Sequence, residues 1–249
     1  MFKAIMNDST LFVDSISTIG ELIDEGIFKV DKNGLSLLAA DRAMVAVVDF
    51  KLSAIAFDEF KVDKEESIAI NLTNLVSVLK RVKPNDKVTL ELKGNMLEIV
   101  MKNSSSRRFT VPLLDILQEE IPPVDQLKFN AKIKVKVDVL KSGIEDADVV
   151  SDSVVFDASK SKFSMRASGD ISSAELLLEK GNDSLVDISA AGDVKSRYPL
   201  DYLKKMIKAG KLSGETMMRW SKDYPMRIDF QTVDKVSLSF IVAPRVSEE

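Results

Sequence analysis

The second half of the chain repeats the first. A shift of 128 positions lays Leu140 on Phe12, Ile144 on Ile16, Val155-Phe156 on Ile27-Phe28, and Phe163-Ser164-Met165 on Leu35-Ser36-Leu37. Continued without a gap, the shift lays Leu200, Leu203, Met206 and Ile207 on Leu72, Leu75, Val78 and Leu79, and Lys208 and Lys211 on Lys80 and Lys83. Helix and strand signals recurring in one order over about eighty positions are what a duplicated domain leaves behind, because each copy must rebuild the same core from the same periodicity. With 249 residues, of which 45% are apolar, the chain is long enough for two cores of ordinary size. The expected organisation is a first domain at 1–112, a connector at 113–127 and a second domain at 128–249.

Each copy can be read by period. Phe12, Ile16, Ile19 and Ile23 fall at helical spacing, as do Leu72, Leu75, Val78, Leu79 and Val82, which predicts two amphipathic helices. Around them lie β-rich runs at 27–30, 35–39, 44–50, 88–92, 96–101 and 109–113, separated by the turn sequences Asp31-Lys32-Asn33-Gly34 and Lys83-Pro84-Asn85-Asp86. Connections this short suit hairpins and not helical crossovers. The fold class is therefore α+β, with two topologically similar domains, largely antiparallel sheets and two helices per domain covering one face.

Between the copies runs Leu113-Leu114-Asp115-Ile116-Leu117-Gln118-Glu119-Glu120-Ile121-Pro122-Pro123-Val124-Asp125-Gln126. Its two prolines enforce extended backbone, and its acids keep it solvated. Leu114, Ile116, Leu117 and Ile121 either pack onto the domains they join or form an exposed docking surface; the residues alone leave both open. The absence of Cys and His removes disulfides, thiolate nucleophiles, imidazole bases and the usual zinc ligands, and with them most familiar enzyme constellations. No apolar run approaches the length of a membrane span, and Met1 to Asp8 lack the apolar core of a secretory signal, so an intracellular, soluble protein is expected.

A net charge of −4 means that any nucleic-acid role must come from local segregation of charge. Placed at helical intervals, Lys204, Lys205, Lys208 and Lys211 lie opposite the stripe of Leu200, Leu203, Met206 and Ile207. Lys80 and Lys83 take the same angular positions in the other copy, with Arg81 on one flank. Such a face can be a plain solvated surface. Facing a duplex, it would exchange counterions for phosphate contacts without reading a base, giving the weak, sequence-independent binding that sliding requires.

Several stretches resemble the proliferating cell nuclear antigen family of DNA sliding clamps, in its archaeal form. They are Leu22-Ile23-Asp24-Glu25-Gly26, Ala39-Ala40-Asp41-Arg42-Ala43-Met44-Val45-Ala46-Val47-Val48, Leu113-Leu114-Asp115-Ile116 with Ile121-Pro122, Leu200-Asp201-Tyr202-Leu203, and Ile241-Val242-Ala243-Pro244-Arg245-Val246. Their order covers essentially the whole chain. The resemblance implies a clamp fold: three subunits closing head to tail into a ring, sheets outside and helices lining the hole, with no catalysis and no cofactor or metal. It further implies strand pairing between subunits through 106–113 and 172–179. Arg81, Lys83, Arg108, Phe109, Asp138, Glu145, Ala174, Leu176 and Leu178 would lie at that joint, Arg81 and Lys83 facing Asp138 or Glu145 of the neighbour.

Partners implied by the resemblance are double-stranded DNA, a clamp loader of the replication factor C type, and DNA polymerase, flap endonuclease and DNA ligase. The enzymes would dock short Gln-containing apolar motifs on Ala40, Met44, Val45, Val47, Ile121, Leu127, Pro225, Ala243, Pro244 and Arg245. The implied location is the cytoplasm with the nucleoid in an archaeon, or the nucleus in a eukaryote. The chain departs from the family on the first helix of each domain. Asp14, Ser17, Thr18 and Glu21 are read on the polar face of one, and Ser142, Glu145 and Asp146 on the other, so DNA guidance is expected from Lys80, Lys83, Lys204, Lys205, Lys208 and Lys211, with Arg107 and Arg108 as additions.

Two other readings compete. Glu145, Asp146, Asp148 and Asp152 could hold a divalent ion in an enzyme, although no phosphate-cradling glycine loop accompanies them. A checkpoint-type ring or one subunit of a heterotrimer is the nearer rival. Asn71-Leu72-Thr73 and Asn103-Ser104-Ser105 match the glycosylation sequon, and carry no weight in an intracellular chain.

Overall fold

The computed structural model describes residues 1–117 and 120–245. Gln118 and Glu119 of the connector, and Val246 of the terminal stretch, lie outside the described residues. The chain divides into two compact units that exchange short segments. The first comprises Met1–Arg42, Val48–Ile121 and Gln231–Leu238; the second comprises Ala43–Val47, Pro122–Phe230 and the residues from Ser239 onward.

In chain order the first copy supplies β1 (Phe2–Met6), α1 (Thr10–Ile19), β2 (Glu25–Asp31), β3 (Gly34–Ala40), β4 (Ala46–Ser53), β5 (Glu59–Val62), β6 (Glu66–Asn71), α2 (Leu72–Leu79), β7 (Lys87–Lys93), β8 (Met96–Lys102) and β9 (Ser106–Pro112). The second supplies β10 (Ala131–Lys136), α3 (Val137–Asp148), β11 (Ser153–Ala158), β12 (Lys162–Ser168), β13 (Ser173–Glu179), β14 (Leu185–Ala190), β15 (Val194–Pro199), α4 (Leu200–Met206), β16 (Glu215–Trp220), β17 (Met226–Thr232) and β18 (Val236–Val242). After α4 the chain tightens into a 3-10 helix at Ile207–Leu212.

The strand orders coincide. In the first unit they are β5-β1-β7-β8-β9 and β4-β3-β2-β6; in the second, β14-β10-β16-β17-β18 and β13-β12-β11-β15. Every neighbouring pair whose register is defined runs antiparallel, as in Ala4 opposite Leu90 and Ile133 opposite Met218. The duplicated periodicity therefore dictates a duplicated topology, because the same alternation selects the same inward faces. In β2, Gly26, Phe28 and Val30 are buried while Glu25 and Lys29 are exposed. The turn after β2 needs its glycine: Gly34 has φ +141°, and a Cβ there would fall 2.0 Å from the Leu52 carbonyl oxygen.

α1 packs on α2, and α3 on α4. Asn71 caps α2, its side-chain oxygen accepting from Asn74 N–H at 2.9 Å; that role accounts for one of the two sequon asparagines. Two expectations are corrected. Ile23 lies beyond the end of α1, although its side chain still reaches the core at 2% exposure. Thr18 is buried and not on a polar face, because its hydroxyl donates back to the Asp14 carbonyl at 2.8 Å and needs no water. Strands β1, β5 and β6 were not anticipated. No helix among the described residues is long and apolar enough to cross a membrane.

Candidate functional site

The lysine faces form where each second helix ends. In the first unit Lys80, Arg81 and Lys83 are exposed at the end of α2 and in the turn behind it. That turn is fixed by Asp86, which is 3% exposed and whose carboxylate accepts the Lys83 backbone N–H at 2.7 Å. The same carboxylate takes the guanidinium of Arg107, which also donates to the Arg81 carbonyl at 2.7 Å. Arg107 is thus a brace inside the unit, half-buried, and drops out of the phosphate-contacting set. Arg108, on the opposite face of β9, is exposed and lies 3.3 Å from Glu98, whose carboxyl is held below its usual range chiefly by a hydrogen bond from Lys93 and further by Arg108.

In the second unit Lys204, Lys208 and Lys211 are exposed and Lys205 is half-buried, its ammonium 5.6 Å from the centre of the Tyr202 ring. Lys204 lies 2.6 Å from Asp148, the last residue of α3. The exposed face of α3 carries Asp138, Glu145, Asp146 and Asp148 together with Lys141, which pairs with Glu145 at 3.8 Å. Among the described residues no group of three or more acidic side chains could hold a metal ion, so the Glu145, Asp146, Asp148, Asp152 reading finds no geometric support.

Of the ten docking residues, Ala40 and Ile121 belong to the first unit. Both line a cleft of about 180 Å³ with Ile23, Leu38, Ala39, Ile116 and Leu117, and with Asp24 and Arg42 paired at 3.1 Å. The connector reaches this cleft because Leu113 N–H donates to the Asn95 carbonyl and Leu114 N–H to the Ala69 carbonyl, each at 2.9 Å, laying the segment along the edge of β6. Leu117 is 93% exposed, an apolar side chain without a cover in its own unit. Leu117 is one of the connector residues for which the sequence left packing and exposure open; Leu38 escaped sequence reading, since the period of β3 alone gives no sign of its exposure.

The other eight docking residues belong to the second unit. Val45, Val47, Leu127, Pro225, Ala243 and Pro244 are half-buried, and Met44 and Arg245 exposed. Met44 has φ +56°, a left-handed conformation that turns the chain just before β4. Ala243 N–H donates to the Val45 carbonyl and Arg245 N–H to the Arg197 carbonyl, both at 2.8 Å. The Arg245 guanidinium meets Asp152, and that hydrogen bond holds the Asp152 carboxyl below its usual range. Elsewhere in the second unit, buried Asp229 accepts from Arg219 at 2.6 Å, Arg227 at 2.8 Å and Ser239 at 2.7 Å. Arg227 also approaches Asp125 of the connector at 3.9 Å. Arg227 and Asp229 share a face of β17, but the network they form with Arg219 and Ser239 was invisible in the sequence, since those two join it only through strand pairing.

Five of the nine residues expected at a subunit joint, Arg108, Phe109, Ala174, Leu176 and Leu178, lie on two strands that end their sheets. β9 ends the order β5-β1-β7-β8-β9, and β13 ends β13-β12-β11-β15. Phe109 is half-buried on β9; Ala174 and Leu176 are half-buried on β13, and Leu178 is already 4% exposed against Phe163 of its own sheet. Arg81, Lys83, Asp138 and Glu145 are exposed.

Residues 1–120 match the family model described as proliferating cell nuclear antigen, N-terminal domain, and residues 123–245 match its C-terminal domain. The chain is 36% identical to a DNA polymerase sliding clamp of Pyrococcus horikoshii and 34% identical to that of Pyrococcus furiosus, over 99% of each chain in both cases. Among solved structures, PCNA from Thermococcus kodakaraensis superposes with a TM-score of 0.90 at 29% identity, covering 98% of this chain and 100% of that one. A PCNA2–PCNA3 complex from Sulfolobus tokodaii gives 0.89 at 27% identity, covering 98% and 99%. This chain belongs to the proliferating cell nuclear antigen family of DNA sliding clamps.

Proposed function

We propose that this protein is a DNA polymerase sliding clamp that closes head to tail as a homotrimer around duplex DNA and tethers polymerase and other replication and repair enzymes to it without catalysis of its own. The observation that carries the reading is the pair of sheet-end strands. β9 and β13 are the repeat equivalents of β18 and β4. Around those two strands the chain already bonds Ser53 N–H to the Lys235 carbonyl in the first unit and Ala243 N–H to the Val45 carbonyl in the second. Pairing β9 with β13 of another copy would repeat that arrangement and cover edges otherwise open to nonspecific association. Exposed pairs between Arg81 or Lys83 and Asp138 or Glu145 would add only about 0–1 kcal/mol, leaving strand pairing and the packing of Phe109, Ala174 and Leu176 dominant.

In this reading Lys80, Lys83, Lys204, Lys205, Lys208 and Lys211, with Arg108, touch phosphates without base contacts. Partner motifs dock on Ala40 and Ile121 of the first unit and on Met44, Val45, Val47, Leu127, Pro225, Ala243, Pro244 and Arg245 of the second, and a loader of the replication factor C type opens the ring. The archaeal relatives support a site of action beside the nucleoid. The test has three arms. Light scattering should give three times the 27.6 kDa subunit mass. The protein should lengthen polymerase runs on a primed circular template when a loader is present. Charge reversal at Lys204, Lys205 and Lys208 should abolish that gain at unchanged mass, whereas an unaffected gain would remove the lysine face from the account. The similarity to a chain of a PCNA2–PCNA3 complex favours a second reading, one member of a heterotrimer, which predicts a mass below the trimer for the pure chain.

A further inference from the structure

The seam between the two helices of each unit is closed in two different ways. In the second unit Asp148 Oδ2 lies 2.6 Å from Lys204 Nζ, with the two side chains 36% and 48% exposed. Their repeat equivalents in the first unit are Gly20 and Val76, which approach so closely that a Cβ on Gly20 would fall 2.7 Å from Val76 Cγ2. The fold therefore does not need an ion pair at this seam. Helix stability does not account for the acid either: Asp148 is the last residue of α3, where the helix dipole disfavours an anion. Lys204, in the last turn of α4, is where that dipole favours a cation.

We propose that Asp148 is an intramolecular stand-in for a DNA phosphate, holding Lys204 in position while cancelling its charge until a phosphate displaces the carboxylate. The proposal rests on the lysine-face reading above. Affinity for a duplex grows with the number of counterions released when cations meet phosphates. A lysine already matched by a carboxylate releases none in net terms, since engaging DNA trades one anion for another. The second unit thus presents a lysine-rich face whose grip is weaker than its lysine count. That suits a protein that must shift from phosphate to phosphate. Asp148 is a positioning and tuning residue here, and it makes no contact with DNA of its own.

The test is fluorescence anisotropy of a labelled linear duplex titrated with the full-length protein between about 50 and 200 mM potassium acetate, with assembly checked by light scattering. Asp148→Asn should bind more tightly at low salt and steepen the plot of log affinity against log salt by up to about 0.9 per engaged subunit, a gain of roughly threefold across that range. The double variant Asp148→Asn/Lys204→Gln should return to the wild-type slope, and Lys80→Gln, which removes an exposed lysine of the first unit, should be shallower than wild type. A merely structural cross-link predicts a lower thermal midpoint for Asp148→Asn with an unchanged slope. That slope alongside a shallower Lys80→Gln overturns the inference and leaves the lysine face standing. Unchanged slopes in both single variants overturn the lysine face and the inference with it.

Discussion

In the second unit three aromatic rings meet around a fourth, Phe156, whose centroid lies 5.9 Å from Phe163, 5.8 Å from Tyr198 and 5.9 Å from Trp220. At the equivalent positions the first unit has Phe28, Leu35, Ile70 and Leu92, and among the described residues Phe28 meets one ring, Phe50, at 6.5 Å. The first unit also leaves a small apolar pocket of about 20 Å³ among Phe2, Phe12, Phe28, Leu35, Ile68 and their neighbours. The aromatic core has polar tips to satisfy, and does so: the Tyr198 hydroxyl donates to the Tyr224 carbonyl at 2.8 Å, and Trp220 Nε1–H to the Val194 carbonyl at 3.3 Å. Strand order is thus preserved by the alternation of apolar and polar positions, while the identity of the core side chains is free to drift so long as volume and hydrogen bonds are made good.

The largest expected effect breaks the comparison at the ring cluster. Phe156→Ala should cost about 4–5 kcal/mol and Phe28→Ala about 3 kcal/mol, the difference being the additional ring contacts. Urea unfolding followed by circular dichroism and by Trp220 fluorescence measures both, and equal costs would mean that the cluster adds nothing beyond area. Next is the helix seam. Gly20→Asp should cost about 1–3 kcal/mol through overlap with Val76. Adding Val76→Lys should recover part of that by giving the first unit the ionic seam of the second; a double variant no more stable than the single one would show that the two seams are not interchangeable.

Smaller effects sharpen the same contrast. Asn71→Ala should lower stability by about 1 kcal/mol, since it removes the only side-chain cap on α2, whereas α4 begins after Pro199 with no side-chain cap to lose. The smallest effect is acid-dependent. The Asp58 carboxyl is held below its usual range, first by the Asn7 backbone N–H at 2.6 Å and also by the Asn7 side chain. A lowered folded value means that this contribution is present above the ordinary carboxylate range and is lost as pH falls through the folded value. Asp58→Asn should therefore lower the thermal midpoint slightly at neutral pH and flatten its acid limb, the variant and the wild type converging below about pH 4.

Much of the fold was legible in the sequence because helices α2 and α4 and strands such as β2 and β4 have one buried face, and a one-sided element prints its period. Where that condition fails, the reading fails. β1 is buried along nearly its whole length and shows an apolar run instead of an alternation; β5 is four residues long and half-exposed. Thr18 misled because its polar atom is satisfied within its own helix. The lysines of the candidate site were readable from angular position, but their partners were not. Nothing local links Arg107 to Asp86, or Lys204 to Asp148, until strands and helices are paired.

The bond from Arg245 N–H to the Arg197 carbonyl has one more implication. Under the repeat, Arg197 corresponds to Ala69, and Leu114 N–H donates to the Ala69 carbonyl. The backbone thus departs from the second copy along the path by which it departs from the first. A polypeptide leaving Arg245 is already aimed as the internal joint is aimed, so genetic concatenation of two or three chains through a spacer copied from residues 113–127 should preserve the native exit geometry. Covalent tandems of that kind would allow a single altered copy to be placed at a chosen position in the assembly.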